Sequence, residues 1–155
     1  MLKGKKSKEQ ITKDRIAMGV KISTAEGRNL IHLEAKKPQE AVLALIFRGT
    51  KILAVSRKDD AQAFGIVGGK IDEGETPEQA LVRETFEETG LTIMTCERIF
   101  QRIDGDFICF TYLCTAEGEI TTTESGVVKE VTWMDLFIGP FGYYNLELYK
   151  HLKTL

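Results

Sequence analysis

Apolar residues along this chain fall into short dense runs broken by glycine, and the runs predict strands before they predict helices. The segment AVLALIF at 41–47 is apolar at every position, the pattern of a central strand buried on both faces. It meets a second run, KILAVS at 51–56, across RGT, which predicts a hairpin. An earlier pair, GVKIS at 19–23 and NLIHLEA at 29–35, flanks TAEGR and predicts another. Further strands are expected at CERIFQRI (96–103), DFICFTYLCTAE (106–117) and GVVKEVTWM (126–134), the last alternating Val127, Lys129, Val131 and Trp133 on one face. FGIVGGKIDEGE at 64–75 reads as a glycine-punctuated loop.

The strongest helix signal follows, TPEQALVRETFEETG at 76–90. Thr76 is placed to cap it, with Gln79 completing a capping box and Pro77 at the first helical position. Gly90 suits a left-handed ending, with Leu91 folding back on Phe86. A helical wheel puts Ala80, Arg83, Glu84, Glu87 and Glu88 on one side and Leu81, Val82, Thr85, Phe86 and Thr89 on the other, toward a core. YNLELYKHL at 144–152 predicts a closing helix. Strands outnumber helices, so the fold class is α/β, a mixed sheet with helices packed against it.

Composition narrows the choices. The 155 residues carry a net charge of −2, with 43% hydrophobic and 28% charged residues, so bulk charge gives no case for duplex nucleic acid or a membrane surface as partner. No apolar run is long enough to span a bilayer, and no apolar signal-like segment opens the chain. Cys96, Cys109 and Cys114 match no metal spacing and read as reduced thiols of a cytoplasmic protein. Lysine-rich residues 1–15 are expected to form a flexible extension, and 16–155 a single domain. The early hairpin is suited to pairing with a second chain, so a homodimer is an open expectation.

Candidate chemistry centres on RETFEETG at 83–90. Glu84, Glu87 and Glu88 lie three and four residues apart, on one helix face, where like charges repel. Glu87 and Glu88 also sit near a helix C-terminus, where the dipole disfavours anions. A solvated face would explain charges alone. It does not explain why Asp72, Glu73 and Glu75 crowd the entry to the same helix, or why Gly68, Gly69 and Lys70 precede them. Shared divalent cations do: hard carboxylate oxygens suit Mg²⁺ or Mn²⁺, and a glycine pair followed by lysine suits phosphate.

The stretch GKIDEGETPEQALVRETFEETGL at 69–91 resembles the Nudix box: Gly, five residues, Glu, seven residues, then Arg-Glu-U-X-Glu-Glu-X-Gly-U with U apolar. Gly69, Glu75, Arg83, Glu84, Glu87, Glu88 and Gly90 meet every charged and glycine position; Thr85 stands where a larger apolar residue is usual. The resemblance implies an α/β/α sandwich and Mg²⁺-dependent hydrolysis of a nucleoside diphosphate linked to another group. It makes Glu87 and Glu88 metal ligands, Glu84 a ligand or the base, the Gly68 carbonyl a further ligand, Arg83 an orienting group and Lys70 a phosphate contact. Glu75 would support the loop. An acid outside the box can serve as base, and Glu124 is preferred over Glu130. Some nucleotide-sanitising members carry WxxPGGK before the box; here FGIVGGK offers Phe64 for the aromatic and Val67 for the proline.

A nucleobase also needs a wall and an edge to read. GPFGYYN at 139–145 supplies Phe141, Tyr143, Tyr144 and Asn145, the last able either to read a base or to cap the final helix. Arg57 and Lys58 are candidate phosphate contacts. The expected partner is a small nucleotide, a nucleoside triphosphate first and ADP-ribose or a dinucleoside polyphosphate next. The competing class is a silent ligand-binding module, which the full set of box acids argues against.

Overall fold

The computed structural model describes residues 37–121 and 126–155. The 1–15 stretch, the first expected hairpin and Glu124 lie outside them. The described strands are β1 (Gln39–Arg48), β2 (Lys51–Arg57), β3 (Asp60–Lys70), β4 (Thr92–Asp104), β5 (Phe107–Glu117) and β6 (Val128–Val131). The helices are α1 (Pro77–Thr89), α2 (Trp133–Phe137) and α3 (Gly142–Leu152).

The strands form one mixed sheet in the order β4-β5-β1-β3-β2-β6. β1 is central, parallel to β5 and antiparallel to β3. That position explains its unbroken apolar run. Val42, Ala44 and Ile46 enter one core cluster, with Leu81 and Leu91 beside α1. Leu45 enters the other, with Ile66, Leu136 from α2 and Leu148 from α3. Helices therefore cover both faces, an α/β/α sandwich with two cores. Burying Leu81 completely contributes roughly 1.5–3 kcal/mol toward holding α1 on the sheet. No helix among the described residues is long and apolar enough to cross a membrane.

Three local expectations are corrected. Residues 64–70 are not loop but the second half of β3, and the loop begins only at Ile71. The glycines there serve close approach: a Cβ on Gly68 would collide with the carbonyl oxygen of Val42. The strand at 126–134 ends at Val131, because Thr132 and Asp135 form a capping box that starts α2 at Trp133. On α1 the buried side chains are Ala80, Leu81, Thr85 and Thr89, whereas Val82 and Phe86 are 44% and 52% exposed. The sheet meets α1 along the stripe of 81, 85 and 89, narrower than the wheel's apolar half. All three cysteines are free, and Cys96 is exposed.

Candidate active site

Helix α1 forms for local reasons and is thereby aimed. The Thr76 hydroxyl accepts from the Gln79 amide at 3.1 Å, and the Gln79 side chain accepts from the Thr76 amide at 2.9 Å. Gly90, at φ 83°, closes the helix with its N–H on the Phe86 carbonyl at 2.8 Å. These caps fix the register that sets Arg83, Glu84, Glu87 and Glu88 against the end of β3. There the Gly68 N–H donates to Glu88 Oε1 at 2.9 Å. The Glu84 carboxyl lies so close to Gly69 that any Cβ at 69 would collide with it. Gly69 thus admits the Glu84 carboxylate against the backbone, while Gly68 makes room for the β1 backbone at Val42.

Arg83 is the hub of the cluster. Its Nε and Nη2 donate to the two oxygens of Glu75 at 2.6 and 2.9 Å, a fork-to-carboxylate pair. Its Nη1 donates to Glu84 Oε2 and Glu87 Oε1, both at 3.1 Å, and Nη2 also reaches the Lys70 carbonyl at 3.1 Å. Asp72 lies 3.4 Å away. The Arg83 hydrogen bond, helped by the Asp72 backbone amide, holds the Glu75 carboxyl down at about 2. The Glu75 hydrogen bond in turn raises the Arg83 guanidinium above its ordinary value. Glu75 also accepts from the Asp72 N–H at 2.9 Å and so ties the 71–76 loop to the helix.

Beside this cluster opens a cleft of about 590 Å³. Glu88 lines it from α1, Leu43, Val55, Ser56, Gly65 and Ile66 from the sheet, Pro140 and Phe141 from the turn into α3, and Asn145 from α3 itself. Arg57, Lys58 and Asp59 line its rim, with Arg57 Nε and Nη2 on the Asp59 carboxylate at 3.0 and 3.1 Å. That pairing raises the Arg57 value and lowers that of Asp59. Asn145 is only 2% exposed, and its Nδ2 donates to the Leu136 and Pro140 carbonyls at 3.2 and 3.5 Å. Two carbonyls facing one end of the amide fix which end is nitrogen. Its Oδ1 is buried with no hydrogen-bond partner.

The family model described as the NUDIX domain matches residues 37–137. The chain belongs to the NUDIX family. It is 44% identical over 50 residues to an 8-oxo-dGTP diphosphatase of Haemophilus influenzae, covering 32% of this chain and 36% of that one. It is 45% identical over 56 residues to an ADP-ribose pyrophosphatase of Methanocaldococcus jannaschii, covering 35% and 33%. The matches therefore span about a third of the length of these curated relatives. The crystal structure of a MutT NUDIX hydrolase from Burkholderia pseudomallei superposes with a TM-score of 0.61 at 25% identity, covering 72% of this chain and 98% of that one.

The structure gathers Glu84, Glu87, Glu88 and Arg83 of the box and Gly68 just before it in one place, with Arg57 and Asn145 lining the adjoining cleft. Lys70 and Phe64 are not brought to that cleft. The Lys70 ammonium sits over the Phe107 ring at 5.9 Å, and Phe64 packs in the second core under the Lys129 ammonium at 4.3 Å. The Thr121 N–H donates to the Thr89 carbonyl at 2.7 Å, and the Val127 N–H to Ser56 Oγ at 2.7 Å. Sequence reasoning overlooked Ser56 and Asp59; an acid two residues after Arg57 was the available signal for the second, and Ser56 had none.

No three acidic, histidine or cysteine side chains among the described residues form a ready-made metal cage. Glu84 and Glu87 turn instead to Arg83. The donor set nonetheless fits a hard divalent cation: the candidate ligands are carboxylate and carbonyl oxygens, gathered where two glycines clear the backbone.

Proposed function

We propose that this chain hydrolyses a pyrophosphate bond in a free cytoplasmic nucleotide, with a nucleoside triphosphate preferred and a monophosphate and pyrophosphate as products. One observation carries the reading: a single cleft is lined by Glu88 of the carboxylate cluster and by Pro140, Phe141 and Asn145 around the start of α3. One end suits phosphates and the other a base. Asn145 Nδ2 is committed to the Leu136 and Pro140 carbonyls and its Oδ1 is buried, so Asn145 holds in place the turn that carries Phe141.

Glu84, Glu87 and Glu88, with the Gly68 carbonyl, would hold Mg²⁺ or Mn²⁺. Such an ion, when bound, supplies charge stabilisation at the attacked phosphate. Arg83 keeps Glu84 and Glu87 oriented, and Gly68 N–H keeps Glu88 facing the cleft. Arg57 offers charge to the outer phosphates. Glu124 takes the proton of the attacking water as its oxygen bonds to phosphorus, and the bond to the bridging oxygen breaks with pyrophosphate leaving. ADP-ribose is the second reading, favoured by the similarity to the Methanocaldococcus jannaschii relative.

A panel of triphosphates, ADP-ribose and dinucleoside polyphosphates, assayed with and without Mg²⁺ and with products weighed by mass spectrometry, tests this. Faster release of pyrophosphate and monophosphate from a triphosphate, abolished by EDTA, is expected. Preference for ADP-ribose would install the second reading, and absence of metal-dependent turnover on any compound would overturn both.

A further inference from the structure

We propose that Phe141 is a substrate-binding residue whose ring stacks on the nucleobase, presented by a backbone conformation that phenylalanine itself disfavours. The inference rests on the reading of the cleft as a nucleotide site. Phe141 has φ 59° and ψ 29°, the left-handed region, and is the positive-φ residue other than glycine among the described residues. That region crowds the Cβ of an L residue, and side chains persist there only where something else requires them.

Its neighbours sharpen the point. Gly142 is glycine because a Cβ would collide with the Phe137 carbonyl oxygen, and Gly139 because one would lie 2.9 Å from that of Phe64. The turn thus spends glycine where backbone crowding demands it, yet not at 141, where the dihedral angle does. Packing does not explain the choice. Phe141 is 48% exposed and belongs to neither core cluster. It pairs with no other ring among the described residues, whereas Phe137 pairs with Trp133 and Tyr149. What the ring does is line the cleft beside Asn145. The two are coupled, since the Asn145 N–H donates to the Phe141 carbonyl at 3.0 Å. Phe141 supplies a flat apolar face, complementary to the plane of a base, and Asn145 holds the turn that presents it.

The test compares Phe141→Gly and Phe141→Trp with the native protein, on the best triphosphate of the panel and on ribose 5-triphosphate, which lacks a base. For Phe141→Gly, KM for the nucleotide is expected to rise about 10-fold or more. The same variant should hold kcat within about threefold and leave KM for the baseless compound unchanged. Phe141→Trp restores the nucleotide KM. The Tm of Phe141→Gly should fall by no more than about 4 °C, because relief of the left-handed strain offsets the lost ring. An unchanged nucleotide KM, an equal loss on the baseless compound, or a larger fall in Tm overturns the proposal while the nucleotide reading stands. Failure of the native protein to turn over any nucleotide overturns both.

Discussion

The two ends of the cleft are built on opposite plans. At the α1 end, one guanidinium meets four carboxylates and a carbonyl, and caps at both helix termini hold the register. At the α3 end, a short turn carries a strained Phe141, and Asn145 within α3 holds a buried oxygen without a partner. The first is over-determined and the second incomplete. Repelling carboxylates need a network that keeps them in place, so the fold invests in constraints there. At the α3 end the left-handed Phe141 and the unpaired Asn145 oxygen are local costs that the fold carries.

Breaking the constrained end should have the largest consequence. Glu87→Gln and Glu88→Gln each keep the side-chain shape and remove a charge. Each is expected to lower kcat by about 10²–10⁴-fold with Tm nearly unchanged. Steady-state kinetics beside a thermal melt checks this, and near-native rates would remove these residues from the chemistry. Arg83→Lys probes the hub next. An ammonium cannot reproduce the fork, so about 2 kcal/mol of stability is expected to go, seen as a lowered denaturation midpoint, with activity falling about 10–100-fold.

Acid titration refines the same region. The fold holds Glu75 ionised down to about 2 against an ordinary 4.5. A depressed value stabilises the native state fully above 4.5, and that stabilisation is lost as pH falls toward 2. The stability gap between native protein and Glu75→Gln should therefore be widest at neutral pH and close between pH 4.5 and 2 in a series of urea melts. The smallest effect is expected within α1 but away from the cleft. Thr85 is fully buried with its Oγ1 unpartnered, so Thr85→Val should raise stability by about 1 kcal/mol and leave turnover unchanged.

Legibility followed the same division. Capping residues, box acids and the doubly buried β1 act through local chemistry and spacing, which a linear reading retains. Three things escaped it. The 64–70 segment looked like loop because glycine signals turns, whereas Gly68 and Gly69 are glycine so that Val42 and Glu84 can approach. Val82 and Phe86 looked like core because a wheel does not know how narrow the contact stripe is. Lys70 lies in the box and Phe64 just before it in sequence, but strand β3 delivers one to Phe107 and the other to the second core. Asn145 was visible as a residue type; only the fold revealed that its nitrogen is spoken for and its oxygen is not.

The most direct test of the central claim, that both ends grip one nucleotide, is calorimetric titration of a triphosphate analogue with a non-hydrolysable α,β-bridge into native protein, Glu88→Gln and Asn145→Ala, with and without Mg²⁺. Both substitutions are expected to weaken the same one-site binding by about tenfold or more, Glu88→Gln only when Mg²⁺ is present and Asn145→Ala in either condition. Binding unaffected by either substitution, or a Glu88→Gln loss of equal size without the metal, would contradict the account.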